Sequence, residues 1–118
     1  MRTIALTLVA LLAATLVACG GGATTAAGPT VTVELSDFKF SPETVEVPAG
    51  QKVTLELRNK GSVEHDFTVE AIGLKAIVKA GQTATRVVGP FTAGTTYELV
   101  CTTAGHKESG MVGKLIVK

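Results

Sequence analysis

Sulfur and imidazole donors are scarce in this sequence: two cysteines, two histidines and two methionines among 118 residues. Charge of one sign is missing as well, with eleven Lys and Arg against ten Asp and Glu. That balance argues against nucleic-acid binding and against strongly steered association. No run of like charges and no internal repeat is visible. The longest apolar run, residues 4–18, falls short of the roughly 20 residues that a spanning helix needs. No pair of carboxylates stands at a spacing useful for acid–base catalysis, and Glu98, Glu108 and Asp66 read as solvated surface groups. Gly20-Gly21-Gly22 has no strand before it and no helix after it, so it is a linker and not a phosphate loop.

What is present begins with a leader. A basic start at Arg2 and the uncharged residues 4–18 have the form of a secretory signal over residues 1–18. It ends in Leu16-Val17-Ala18-Cys19, which resembles a bacterial lipobox and implies lipidation of Cys19. Such a lipid holds a protein at a membrane surface outside the cytoplasm. Residues 19–29 are mostly Gly, Ala and Thr, a composition that buries nothing and reads as a flexible tether. A single domain over residues 30–118 remains. With Arg2 gone, its ten basic and ten acidic side chains cancel. Cys101 is then the only thiol left, in an oxidising compartment and without a disulfide partner. It is inert, reactive or a metal ligand.

From residue 30 onward the apolar pattern has period two. Residues 30–35, 44–47 and 53–58 alternate as half-buried strands do, and 65–69, 83–88, 95–101 and 112–117 continue the series. Pro48-Ala49-Gly50, Asn59-Lys60-Gly61-Ser62, Gly89-Pro90 and Ala93-Gly94 punctuate them. Residues 75–80 are the least clear. About seven to eight short strands without a helix predict an all-β, antiparallel Greek-key β-sandwich. Parity places His65 with Phe67 and Val69, Cys101 with Tyr97 and Leu99, and Met111 with Leu115 and Val117, all facing inward near strand ends.

The last strand–loop–strand unit carries Cys101, His106 and Met111 with four residues in each interval, and His65 lies on an earlier strand. A loop of that length folds back so that its donors converge. Two imidazoles, a thiolate and a weak axial thioether form the donor set of blue-copper centres, in which soft sulfur favours Cu(I) and imidazole suits both oxidation states. The two histidines of the chain both fall at this pattern. Singly, each of these residues has an ordinary structural explanation; jointly they point to one copper ion.

Residues 38–55, which include Phe38-Lys39-Phe40-Ser41-Pro42 and Pro48-Ala49-Gly50, are similar to the N-terminal half of plastocyanin- and azurin-type cupredoxins, as is Asn59 through Phe67. Residues 101–117 resemble the ligand loop and last strand of that family, with the loop spacing of the membrane-associated auracyanins. The resemblance implies His65 and His106 as equatorial imidazoles, Cys101 as the thiolate and Met111 as the axial ligand. It also implies that His106 lies near the surface, where the electron leaves. Two positions depart from the family pattern. Asp66 stands where many relatives have Asn, so an acid takes the place next to the ligand and favours Cu(II). Ala104-Gly105 replaces the Pro that often precedes the second His, which implies a looser loop.

These readings imply a monomeric carrier passing single electrons between redox-protein donor and acceptor, docking through Ala104, Gly105, His106, Gly110 and Val112. Copper delivery or storage is the alternative function. A copper enzyme needs further histidines, a dinuclear copper centre needs a second loop cysteine, and Ser109 lacks a free His for nucleophilic catalysis; the sequence has none of these. A structural lipoprotein domain would bind no copper at all.

Overall fold

The computed structural model describes residues 28–118. The leader, Cys19 and the tether up to residue 27 lie outside the described residues. Nine strands follow: β1 (Thr30–Ser36), β2 (Lys39–Ser41), β3 (Thr44–Val47), β4 (Val53–Asn59), β5 (His65–Val69), β6 (Leu74–Val78), β7 (Thr83–Val88), β8 (Thr96–Val100) and β9 (Val112–Val117). A single 3-10 turn, Glu70–Ile72, separates β5 from β6. One sheet has the order β2-β1-β4-β7, the other β3-β9-β8-β5-β6.

The alternation in sequence becomes alternation in burial. In β3 and β4, Val45, Val47, Val53, Leu55 and Leu57 point inward and are buried, while Thr44, Glu46 and Arg58 are exposed. With Val33 and Leu35 of β1, Phe67 and Val69 of β5, Leu99 of β8 and Leu115 and Val117 of β9, they fill the space between the sheets. Phe40 and Phe67 meet edge to face across that core, ring centroids 5.7 Å apart.

The sandwich expected from the sequence is present, with two corrections. It has nine strands rather than seven or eight, because residues 39–41 form a ladder and so does Leu74–Val78, which overlaps the unclear segment 75–80. It is also mixed rather than antiparallel throughout: β1 runs parallel to β4, and β3 parallel to β9. The chain crosses to the opposite sheet between these partners, and such a return leaves two strands pointing the same way. Period two reveals which face of a strand is buried but not the direction of its neighbour.

Strand β5 departs from alternation, since all five of its residues are buried. It lies inside its sheet, between β8 and β6. Its outward-facing Asp66 and Thr68 are covered by the loop that follows β8, to which Asp66 is hydrogen-bonded at Thr102 and Thr103. Asp66 is therefore not the solvated surface group its sequence setting implies; it is 3% exposed. β5 and β8 share one register pair, Thr68↔Val100, beyond which the chains part. His65 and Cys101 lie at that opening.

Candidate metal centre

His65 is the first residue of β5, Cys101 follows the last residue of β8, and Met111 precedes the first residue of β9. The 101–111 loop is closed at its base, where the Cys101 N–H donates to the Met111 carbonyl at 3.1 Å and the Met111 N–H donates to the His106 carbonyl at 3.0 Å. Inside it, the His106 N–H donates to Thr103 and the Gly110 N–H to Lys107. The expected looseness of Ala104-Gly105 has a specific form. Gly105 adopts φ 82°, a left-handed conformation closed to proline, whose ring holds φ near −65°. The loop turns into His106 by glycine geometry and is tied by hydrogen bonds.

Three of the donor atoms converge. Nδ1 of His65 and Nδ1 of His106 face one another at 3.1 Å, and Sγ of Cys101 is 3.5 Å from Nδ1 of His106. All three donors lie within 4.8 Å of one another. Atoms that share one first-row ion at about 2.0 Å for nitrogen and about 2.3 Å for sulfur stand roughly 3–4 Å apart. The spacing, the thiol and the two imidazoles therefore fit a single metal ion of the soft-to-borderline kind, and copper best matches that donor chemistry. His65, Cys101 and Met111 are fully buried, and His106 is 9% exposed. Met111 follows the same loop, hydrogen-bonded through its backbone to both Cys101 and His106 and buried in the same core.

Around these donors runs a polar frame. The Asp66 N–H donates to Cys101 Sγ at 3.3 Å, a bond that favours the thiolate. The Asp66 carboxylate accepts from the Thr102 N–H and hydroxyl, both at 2.9 Å, from the Thr103 hydroxyl at 3.3 Å and from the Thr68 hydroxyl at 2.7 Å. Burial pushes its carboxyl up, but the hydrogen bonds from Thr102 and Thr68, with the Lys75 charge, outweigh it and hold Asp66 below the usual carboxylate range. The acid thus stitches β5 to the ligand loop.

Sequence reasoning missed a second acid. Oδ1 of Asp37 lies 3.1 Å from Nε2 of His65, and Asp37 also accepts from the Ser62 hydroxyl at 2.7 Å. The Ser62 hydroxyl, then the His65 ring, hold its carboxyl below the ordinary range. Next in the chain, the half-exposed Phe38 ring meets His106 edge-on at 5.1 Å. No local pattern marks these residues. Asp37 is 28 positions from His65 and reaches it only because β1 runs beside β4.

Of the residues expected at a docking face, Ala104, Gly105 and Gly110 are exposed around the barely exposed His106. Val112 points the other way along β9 from the buried Met111 and lines a groove with Thr96, Tyr97, Glu98 and Lys114. Phe38 and Val63 are exposed apolar groups that the sequence did not single out.

The family model described as a cupredoxin-like domain matches residues 7–117. A copper-resistant cuproprotein, CopI of Rubrivivax gelatinosus, is 31% identical over 112 residues, a match covering 75% of this chain and 66% of that protein, just under two thirds. Among solved structures, auracyanin B superimposes with a TM-score of 0.66 at 22% identity, over 77% of this chain and 89% of that one. Auracyanin A, a "blue" copper protein from Chloroflexus aurantiacus, gives a TM-score of 0.60 at 23% identity, over 75% of this chain and 99% of that one. The nine-stranded sandwich, the donor cluster at its opening and the matched family model agree, and the chain belongs to the cupredoxin-like family.

Proposed function

We propose that this protein holds one copper ion between His65, Cys101, His106 and Met111 and carries single electrons between redox partners. The observation that carries the reading is the buried cluster of two facing Nδ1 atoms and one thiol sulfur. Copper bound there supplies a Cu(I)/Cu(II) couple, taking up and giving back one electron per cycle. The rest is done by the chain. The core and the loop exclude water from three of the four donors, and the Asp66 frame holds the loop at a fixed distance from β5. A scaffold that keeps its donors in place between oxidation states keeps the reorganisation barrier low. Cys101 opens into β8 through its backbone, and His106 is the ligand nearest the surface, the side on which a partner docks.

Copper enzymes place substrate at an open metal position or at a second metal, and both histidines of this chain are already engaged at one site. The chain is read as a carrier and not as an enzyme. We read it as extracytoplasmic, held at a membrane by lipid on Cys19 and acting as a monomer. Changing Cys19→Ser should move the protein from the membrane to the soluble fraction, and an unchanged distribution contradicts the anchor.

Copper handling is the second reading, favoured by the likeness to a copper-resistant cuproprotein. Voltammetry with a chelator challenge separates the two. A carrier gives one reversible one-electron wave per chain and releases copper slowly. A handling protein surrenders its copper quickly to a competing chelator, and that result, or the absence of a reversible wave, contradicts the carrier reading.

A further inference from the structure

We propose that the Asp37 carboxylate is the positioning group for the His65 imidazole and biases the centre toward Cu(II); this inference rests on the copper reading above. A neutral imidazole carries one N–H. The Nε2–H of His65 donates to Asp37 Oδ1 at 3.1 Å, which places the proton on the outer nitrogen and leaves Nδ1 free, facing Nδ1 of His106. A carboxylate on the far nitrogen of a ligating histidine fixes its tautomer and orientation and raises its basicity. More electron density at the ligand favours the more highly charged ion.

The surroundings of Asp37 are built for this contact. Its carboxylate accepts from the Ser62 N–H at 3.1 and 3.4 Å and from the Ser62 hydroxyl at 2.7 Å, so the segment leading into His65 grips the acid. That segment is fixed in turn by the buried Asn59, which donates to the carbonyls of Val63 and Val78 and accepts from the Gly61 N–H, each at 2.8 Å. Gly61 lies against the contact itself: a Cβ there would stand 2.4 Å from Asp37 Oδ1 and 2.9 Å from His65 Nε2. Only glycine leaves room for the acid–imidazole pair.

The backbone of the turn is unusual too. Asp37 and Phe38 join β1 to β2, where Ser36 pairs with Lys39, and Phe38 sits at φ 70°. An L-residue with a large side chain rarely adopts that region, and such strain is retained where surroundings over-determine it. Here the turn sets Asp37 on one imidazole and the Phe38 ring edge-on to the other. One two-residue turn therefore braces both histidines.

The test uses the full chain loaded with copper, comparing Asp37→Ala, Asp37→Asn and Glu64→Gln. Glu64 is an exposed acid beside His65 in the chain, and it controls for charge alone. Asp37→Ala is expected to weaken Cu(II) binding 10–100-fold. The Cu(II)/Cu(I) affinity ratio should fall about tenfold, which is a rise of about 59 mV for a one-electron couple. Asp37→Asn, which keeps an acceptor for the Nε2–H, should recover part of the affinity and little of the potential. Glu64→Gln should change the ratio less than twofold. Should Asp37→Ala fail to fold, Ser62→Ala removes the hydroxyl bond that helps fix the acid and keeps the acid and its backbone N–H bond, with a smaller shift in the same direction. A copper band like that of the parent with a ratio within twofold in Asp37→Ala, or an equal shift in Glu64→Gln, overturns the proposal. A parent protein without a copper band overturns the copper reading first, and this inference with it.

Discussion

At the scale of single residues, the centre is three donors, each held by its own neighbours. Cys101 receives the Asp66 N–H, His65 gives its Nε2–H to Asp37, and His106 is held by loop bonds to Thr103 and Met111. Asp66 carries the heaviest polar load, taking four hydrogen bonds from Thr68, Thr102 and Thr103 while nearly out of water. Removing such an acceptor strands its donors, at about 1–3 kcal/mol for a buried group. Thermal or denaturant unfolding of copper-free Asp66→Ala should therefore show a loss of about 2 kcal/mol. Asp66→Asn, which keeps an acceptor and drops the charge, should lose less stability and raise the reduction potential. Equal stability of Asp66→Ala and the parent contradicts this role. The residues whose donor atoms converge, His65, Cys101 and His106, were legible from sequence because blue-copper chemistry fixes their types and the loop fixes the spacing of the last two. The residues that position them were less so. Asp66 adjoins a ligand and was visible as a departure from the family pattern, although its burial was not. Asp37 reaches His65 only through strand pairing.

At the scale of elements, alternation identifies strands well because one face of each is against the core. It located β1, β3, β4, β5, β7, β8 and β9 to within a residue or two. It left β2 and β6 undefined, for two reasons. β2 is three residues long and too short to show a period. β6 was obscured by Leu74, Lys75 and Ala76, where a partly buried residue, an exposed one and a small buried one give a weak contrast. Parallel pairing of β1 with β4 and of β3 with β9 follows from chain crossings, which no local pattern encodes. Those pairings matter for chemistry. β1 beside β4 brings the 37–38 turn over the 59–65 segment, so the site's frame depends on one of the two ladders whose direction the antiparallel expectation missed.

At the scale of the whole molecule, the near-neutral charge and the site's position at one end of the sandwich suit a carrier that docks briefly. Ala104 and Gly105 are exposed just before His106 in the chain, and Phe38 adds an apolar ring at its edge. Ala104→Glu places a charge on that face without touching a donor. Stopped-flow transfer to a redox partner should slow severalfold while the copper spectrum stays the same; an unchanged rate removes the docking face. The central claim, that one copper is held through a thiolate, is tested most directly by visible absorption of the full chain titrated with Cu(II), with Cys101→Ala beside it. The expected result is an intense blue or green band that saturates at one copper per chain and is absent from Cys101→Ala. A colourless protein, or copper binding indifferent to Cys101, would contradict it.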